Sequence, residues 1–160
     1  MSQQREFDGI FRAHYEELFH FALQLMGRRE EADDIVMSAF EDLWRMFDHV
    51  DHSALRAMLY RMVRNKCVDS LRRRGYHQQY VSTVMRLTQG YTDKDTLAEE
   101  DERAEKIRVV LARLKPPTSE IFKACLYEHK QYKEIARELG ISLSMVKKHM
   151  VKALRIIKEG

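Results

Sequence analysis

Between Tyr132 and His149 the chain places residues that suit recognition of a nucleic acid. Lys147 and Lys148, with Ser144 before them and Lys152 and Arg155 a turn or more later, put polar and basic side chains on one half of a predicted helix. Such side chains near the start of a helix can hydrogen-bond base edges in a major groove and meet the flanking phosphates. The residues ahead of them predict how that helix is held. Ala136 is small where two helices would cross closely, and Gly140 follows where the turn needs a left-handed backbone. Ile135, Ile141 and Val146 would fill the wedge between the helices, and Ser142 can cap the second one. Small residue, glycine and apolar wedge at this spacing predict a helix-turn-helix.

A second basic run lies between Arg56 and Arg74, with seven bases against the single acid Asp69. Helical spacing brings Arg61, Asn65 and Arg72 on or near one face. Asn can read a base edge, and Arg can bind phosphate or stack on an exposed base. From composition alone, a plain solvated face is the simpler reading of this run. The acids are segregated too. Six lie between Glu30 and Asp42 with no base among them, and seven lie between Asp93 and Glu105 against two bases. Acidic surface beside basic surface suggests a further partner that is not a polyanion.

Length and composition limit the elements that position these groups. At 160 residues the chain can form one domain or two small ones. Hydrophobic residues make up 44% and charged residues 33%, with a net charge of +3. Six glycines and two prolines argue against a turn-rich β architecture and predict an all-α fold. Apolar stripes run from Phe7 to Leu25, from Ala32 to Phe47 and from Leu55 to Leu71, with Gly27 ending the first. They predict a three-helix domain over residues 1–75. Residues 76–96, rich in Gln, Thr and Tyr, read as a linker with room for a short helical piece. Residues 97–160 form the second helical domain, in which Pro116-Pro117 separates two helices and Thr118 or Ser119 opens the next.

Other signals carry little chemistry. His49 and His52 have no further ligand at metal spacing, and no phosphate loop or nucleophile motif is present, so no cofactor, metal or catalytic site is expected. Cys67 and Cys125 fall on apolar stripes and suit a reducing cytoplasm. No stretch is apolar enough to span a bilayer, and the N-terminus lacks a signal-peptide core. Phe40, Trp44 and Phe47 read as core, Ser53 as a helix cap, and Tyr60 as either core or contact.

The ordered set is more specific than its parts. It consists of an acidic amphipathic helix, Leu59-Tyr60-Arg61 with Arg64-Asn65, Asp69 and Leu71-Arg72-Arg73, a linker, two prolines and a helix-turn-helix. From about Phe7 to Lys158 the chain resembles the bacterial extracytoplasmic-function (ECF) sigma factors, a small group of the sigma-70 family. The resemblance implies a non-enzymatic, dissociable subunit of core RNA polymerase. Its N-terminal region 2 would bind the polymerase clamp and open the minus-ten promoter element. Its region 4 would read the minus-thirty-five element. Asp33, Asp34, Ile35 and Phe40 match the clamp-binding helix, and residues 48–53 the loop that captures an unstacked base. Arg61, Arg64, Asn65, Lys66, Arg72 and Arg73 match the minus-ten segment. Ser142, Ser144, Lys147, Lys148 and Lys152 match the minus-thirty-five reader. Met37 and Ser38 depart from the family's usual Gln and acid, and Gln131 stands where a Ser or Thr cap is usual. The run Lys147-Lys148-His149-Met150 resembles the iron-uptake subgroup, which implies an anti-sigma partner at a membrane. A chain monomeric when free is expected. A stand-alone helix-turn-helix regulator is the alternative, and it would be a two-fold dimer on repeated half-sites.

Overall fold

The structure is a computed structural model and describes residues 2–87, 104–105 and 107–159. Among these residues there is no strand. The helices are α1 (Ser2–Met26), α2 (Arg29–Arg45), α3 (Leu55–Arg73), α4 (Gln78–Leu87), α5 (107–111), α6 (Thr118–Leu126), α7 (Tyr132–Leu139) and α8 (Leu143–Glu159). Short 3-10 turns at Phe47–His49 and His52–Ala54 join α2 to α3. No described helix is long and apolar enough to cross a membrane. The chain divides into two compact units, residues 1–70 and 71–160.

In the first unit, α1 ends where Gly27 turns left-handed at φ 76° and its N–H still reaches the Leu23 carbonyl. Two residues later α2 begins, and its stripe of Ala32, Val36, Ala39 and Leu43 is fully buried. Leu18, Ala22 and Met26 of α1 and Leu59, Val63 and Cys67 of α3 complete that core. Tyr60, which the sequence left open, is a core residue, 2% exposed and packed on Phe21 at 5.2 Å between ring centres. The turn before α3 is capped by Asp51 rather than Ser53. The Asp51 carboxylate accepts from the Ser53 N–H at 3.0 Å and from its hydroxyl at 2.7 Å, and these bonds hold its pKa below the ordinary value.

In the second unit, Ile121, Phe122 and Cys125 of α6, Tyr132 and Ile135 of α7, and Val146, Met150, Ala153 and Ile157 of α8 share one core. Thr118 opens α6 from a buried position, and its hydroxyl meets His149 Nδ1 of α8 at 2.9 Å. The residues expected as linker include α4, which belongs to this unit. The Tyr76 hydroxyl donates to the Lys130 carbonyl at 2.6 Å, and the Tyr132 hydroxyl lies 2.7 Å from His77 Nδ1. Tyr76, Tyr80, Val81 and Val84 are all buried. Their spacing of four, one and three residues is helical, and the intervening Gln, Ser and Thr disguise it. The acidic run that begins at Asp93 falls largely outside the described residues.

Candidate nucleic-acid and protein interfaces

The turn between α7 and α8 follows the expected construction. The Gln131 N–H at the start of α7 is held by the Glu134 carboxylate at 3.2 Å, a partial remedy for a weak cap. Gly140 takes the left-handed conformation at φ 65°, and the Ile141 N–H returns to the Ala136 carbonyl at 3.1 Å. The Ser142 hydroxyl accepts from the Met145 N–H at 3.1 Å, so this predicted reader spends an oxygen lone pair on capping α8. Beyond the cap, Ser144, Lys147, Lys148, Lys152 and Arg155 are all exposed. None of the four bases makes an ion pair among the described residues. Lys130 differs: it is clamped between Glu128 at 3.0 Å and Glu138 at 2.8 Å, which raises its pKa.

The α3 block is more constrained. Arg61 and Asn65 are exposed, as are Arg72 and Arg73 in the last turn. Lys66 is half-buried and paired to Asp42 of α2 at 2.8 Å. Arg64 is half-buried, and its Nε is buried without a hydrogen-bond partner. Arg56 binds Glu17 at 3.1 Å and lies 5.0 Å from the Tyr60 ring centre, so it braces α3 against α1.

On α2 the predicted protein-contact residues divide. Asp34 is exposed and Ile35 half-buried. Asp33 accepts a hydrogen bond from the Tyr15 hydroxyl. Burial, followed by that bond, pushes the Tyr15 phenol up to about 12. Phe40 is 2% exposed and packs on Phe11 with ring centres 4.8 Å apart, so it chiefly packs α2 against α1. Trp44, read from sequence as core, is instead 45% exposed, and Met37 is 38% exposed. With Phe7, Phe11 and Phe40 they line an open groove of about 530 Å3 between α1 and α2, edged by Asp8, Glu41 and Arg45. The groove's exposed apolar residues sit on the same helix as Asp34, giving α2 a mixed acidic and apolar surface. Sequence reasoning missed them because the α2 stripe continues one position too far round the helix. Among the described residues no group of three or more His, Cys, Asp or Glu side chains could hold a metal ion.

A helical framework carrying a capped basic helix after a tight glycine turn defines a helix-turn-helix protein. Two family models match it: Sigma-70 region 2 over residues 10–77 and Sigma-70, region 4 over residues 104–157. Together the two matches span most of the chain, which belongs to the sigma-70 family. It is 25% identical over 150 residues to the ECF RNA polymerase sigma factor SigE of Mycolicibacterium smegmatis (strain ATCC 700084 / mc(2)155). That match covers 88% of this chain and 55% of the relative, so the chain spans about half the length of the curated relative it matches. Among solved structures it is similar to CnrH in its complex with the cytosolic domain of CnrY. The TM-score is 0.40 and the identity 22%, over 98% of this chain and 87% of the other.

Proposed function

We propose that this chain is a promoter-specificity subunit of bacterial RNA polymerase, acting in the cytoplasm with the core enzyme and promoter DNA. The observation that carries this reading is the contrast in charge between two exposed helix surfaces. Lys147, Lys148, Lys152 and Arg155 of α8 suit DNA, whereas Asp34 and Glu41 of α2 would repel it and, beside the exposed apolar Met37 and Trp44, suit a basic, partly apolar protein surface. In this assignment Ser144, Lys147, Lys148 and Lys152 read the minus-thirty-five element, and Ser142 holds the helix that presents them. Arg61, Asn65, Arg72 and Arg73 meet the opened minus-ten element, while Lys66 joins them by exchanging Asp42 for DNA and Arg64 by bringing its half-buried guanidinium to it. Asp34 and Ile35 dock on the clamp, with Asp33 set in place by Tyr15. An anti-sigma protein is the regulatory partner, and the likeness to the iron-uptake subgroup rests on Lys147-Lys148-His149-Met150 alone.

The test is co-elution of the purified chain with bacterial core RNA polymerase at low micromolar concentration. A stoichiometric complex is expected. Asp34→Arg should reduce its yield several-fold while leaving the circular-dichroism spectrum unchanged, because the position is exposed. A folded, inhibitor-free chain that does not bind core polymerase would overturn the reading in favour of a stand-alone regulator, whose dimeric mass would then be the distinguishing measurement.

A further inference from the structure

We infer that α4 is part of the DNA-binding surface: the groove between α4 and α8 seats the sugar-phosphate backbone that flanks the recognition helix. This rests on the reading of α7 and α8 as a DNA-binding helix-turn-helix and extends it to a segment the family models leave largely unmatched, since they stop at residue 77 and resume at 104.

The groove has a volume of about 480 Å3 and lies wholly within the second unit. Its floor is Val151 and Leu154 of α8. Arg155 and Lys158 stand on the α8 side, and Arg86 in the last turn of α4 stands on the other. All three cations are exposed, and none makes an ion pair among the described residues. No acidic side chain lines the groove among those residues, while Gln79 and Ser82 add neutral donors. Three cations and several neutral donors around a shallow apolar floor match a phosphodiester strand: charge for the phosphate and apolar surface for the sugar.

Position supports the same occupant. Arg155 lies seven residues beyond Lys148, two turns along the same face and about 10 Å away at 1.5 Å per residue. The major groove is about 12 Å wide. With Lys148 at base edges, Arg155 and the α4 groove therefore stand beside the strand that borders them. The groove wall is anchored rather than loosely laid down, since Tyr76 and His77 bond to Lys130 and Tyr132 and Tyr80 is 3% exposed.

The experiment measures binding of the full chain to a 20-bp duplex by anisotropy across a salt series, for the parent, Arg86→Gln, Gln79→Lys and Lys148→Gln. Each lost phosphate contact reduces the slope of log K against log salt by about 0.9. Arg86→Gln should weaken binding two- to fivefold at low salt and flatten the slope by about one such contact. Gln79→Lys should do the reverse, a gain that misfolding cannot imitate. If Lys148→Gln weakens binding while both α4 variants match the parent, the groove inference falls and the helix-turn-helix reading stands. If α4 variants match the parent on DNA but lose co-elution with core polymerase, the groove is a protein-docking surface and the inference is overturned. If none of the three changes binding, both readings fall.

Discussion

The basic runs of α3 and of α7–α8 carry similar formal charge and use it differently. Along α8, Lys147, Lys148, Lys152 and Arg155 project from a helix whose opposite side is fully engaged with the core. Along α3, Arg56 braces against Glu17, Lys66 is tied to Asp42 and Arg64 has a buried Nε. Formal charge therefore overstates what α3 presents to a polyanion. A base already paired with a carboxylate gains little from a phosphate, since one ion pair replaces another. The α8 run is ready to meet a duplex. The α3 run is partly a structural frame in which the exposed Arg61 and Asn65 sit among bases that hold helices together, and only its last turn adds the exposed Arg72 and Arg73.

The largest expected effect tests that frame. Phe40→Ala removes the ring shared by α1 and α2 and should cost about 3–5 kcal/mol of first-unit stability in chemical denaturation. A loss below 1 kcal/mol would show that the frame around α3 does not depend on this packing. Lys148→Gln tests the other side. It should leave thermal stability within about 0.5 kcal/mol, as for any exposed substitution, yet cost about 1–3 kcal/mol of promoter affinity in the polymerase complex if it reads a base. An unchanged affinity and salt slope would remove Lys148 from the interface. Asp42→Asn should release Lys66 at a stability cost of about 0–1 kcal/mol and steepen the salt dependence of DNA binding. If the slope does not move, Lys66 lies away from the DNA whether or not it is paired.

The smallest effect is expected from protons. Burial, followed by the charge of Lys147, depresses the pKa of His77, and burial, followed by Arg74, depresses that of His129. A histidine whose folded pKa is lowered binds fewer protons folded than unfolded, so stability rises with pH through this range. Its contribution is complete above the unfolded value of about 6.5 and declines as pH falls from there through the folded pKa. The melting temperature of the second unit should drop between pH 7.5 and 5.5. His77→Gln, which keeps an acceptor near the Tyr132 hydroxyl, should flatten that drop. An unaltered pH profile would remove His77 from the set of linked protons.

Local rules account for what could be read in advance. Gly27, Gly140 and Ser142 act through neighbours at most five residues away, and a sequence displays such neighbours directly. The three apolar stripes of the first unit likewise followed from a single period. The features that escaped detection depend on partners far along the chain. Tyr15 meets Asp33 across 18 residues, Lys66 meets Asp42 across 24, and Tyr76 meets Lys130 across 54. No periodicity announces these pairs, so Asp33 and Lys66 looked available when the fold had already used them. Trp44 shows the opposite error. Its hydrophobicity suggested burial, but a large indole at the end of a stripe can be left at the rim of a groove.

Each compact unit contains one cysteine. Cys67 and Cys125 are both 0% exposed, and burial pushes each thiol up to about 12. At neutral pH the folded chain holds almost no thiolate, and alkylating reagents and mild oxidants reach neither sulfur until its unit opens. The rate at which each cysteine takes up an alkylating label under native conditions therefore reports the opening free energy of its own unit. The molecule thus carries two thiol clocks, readable from one peptide map, one for the opening of each unit.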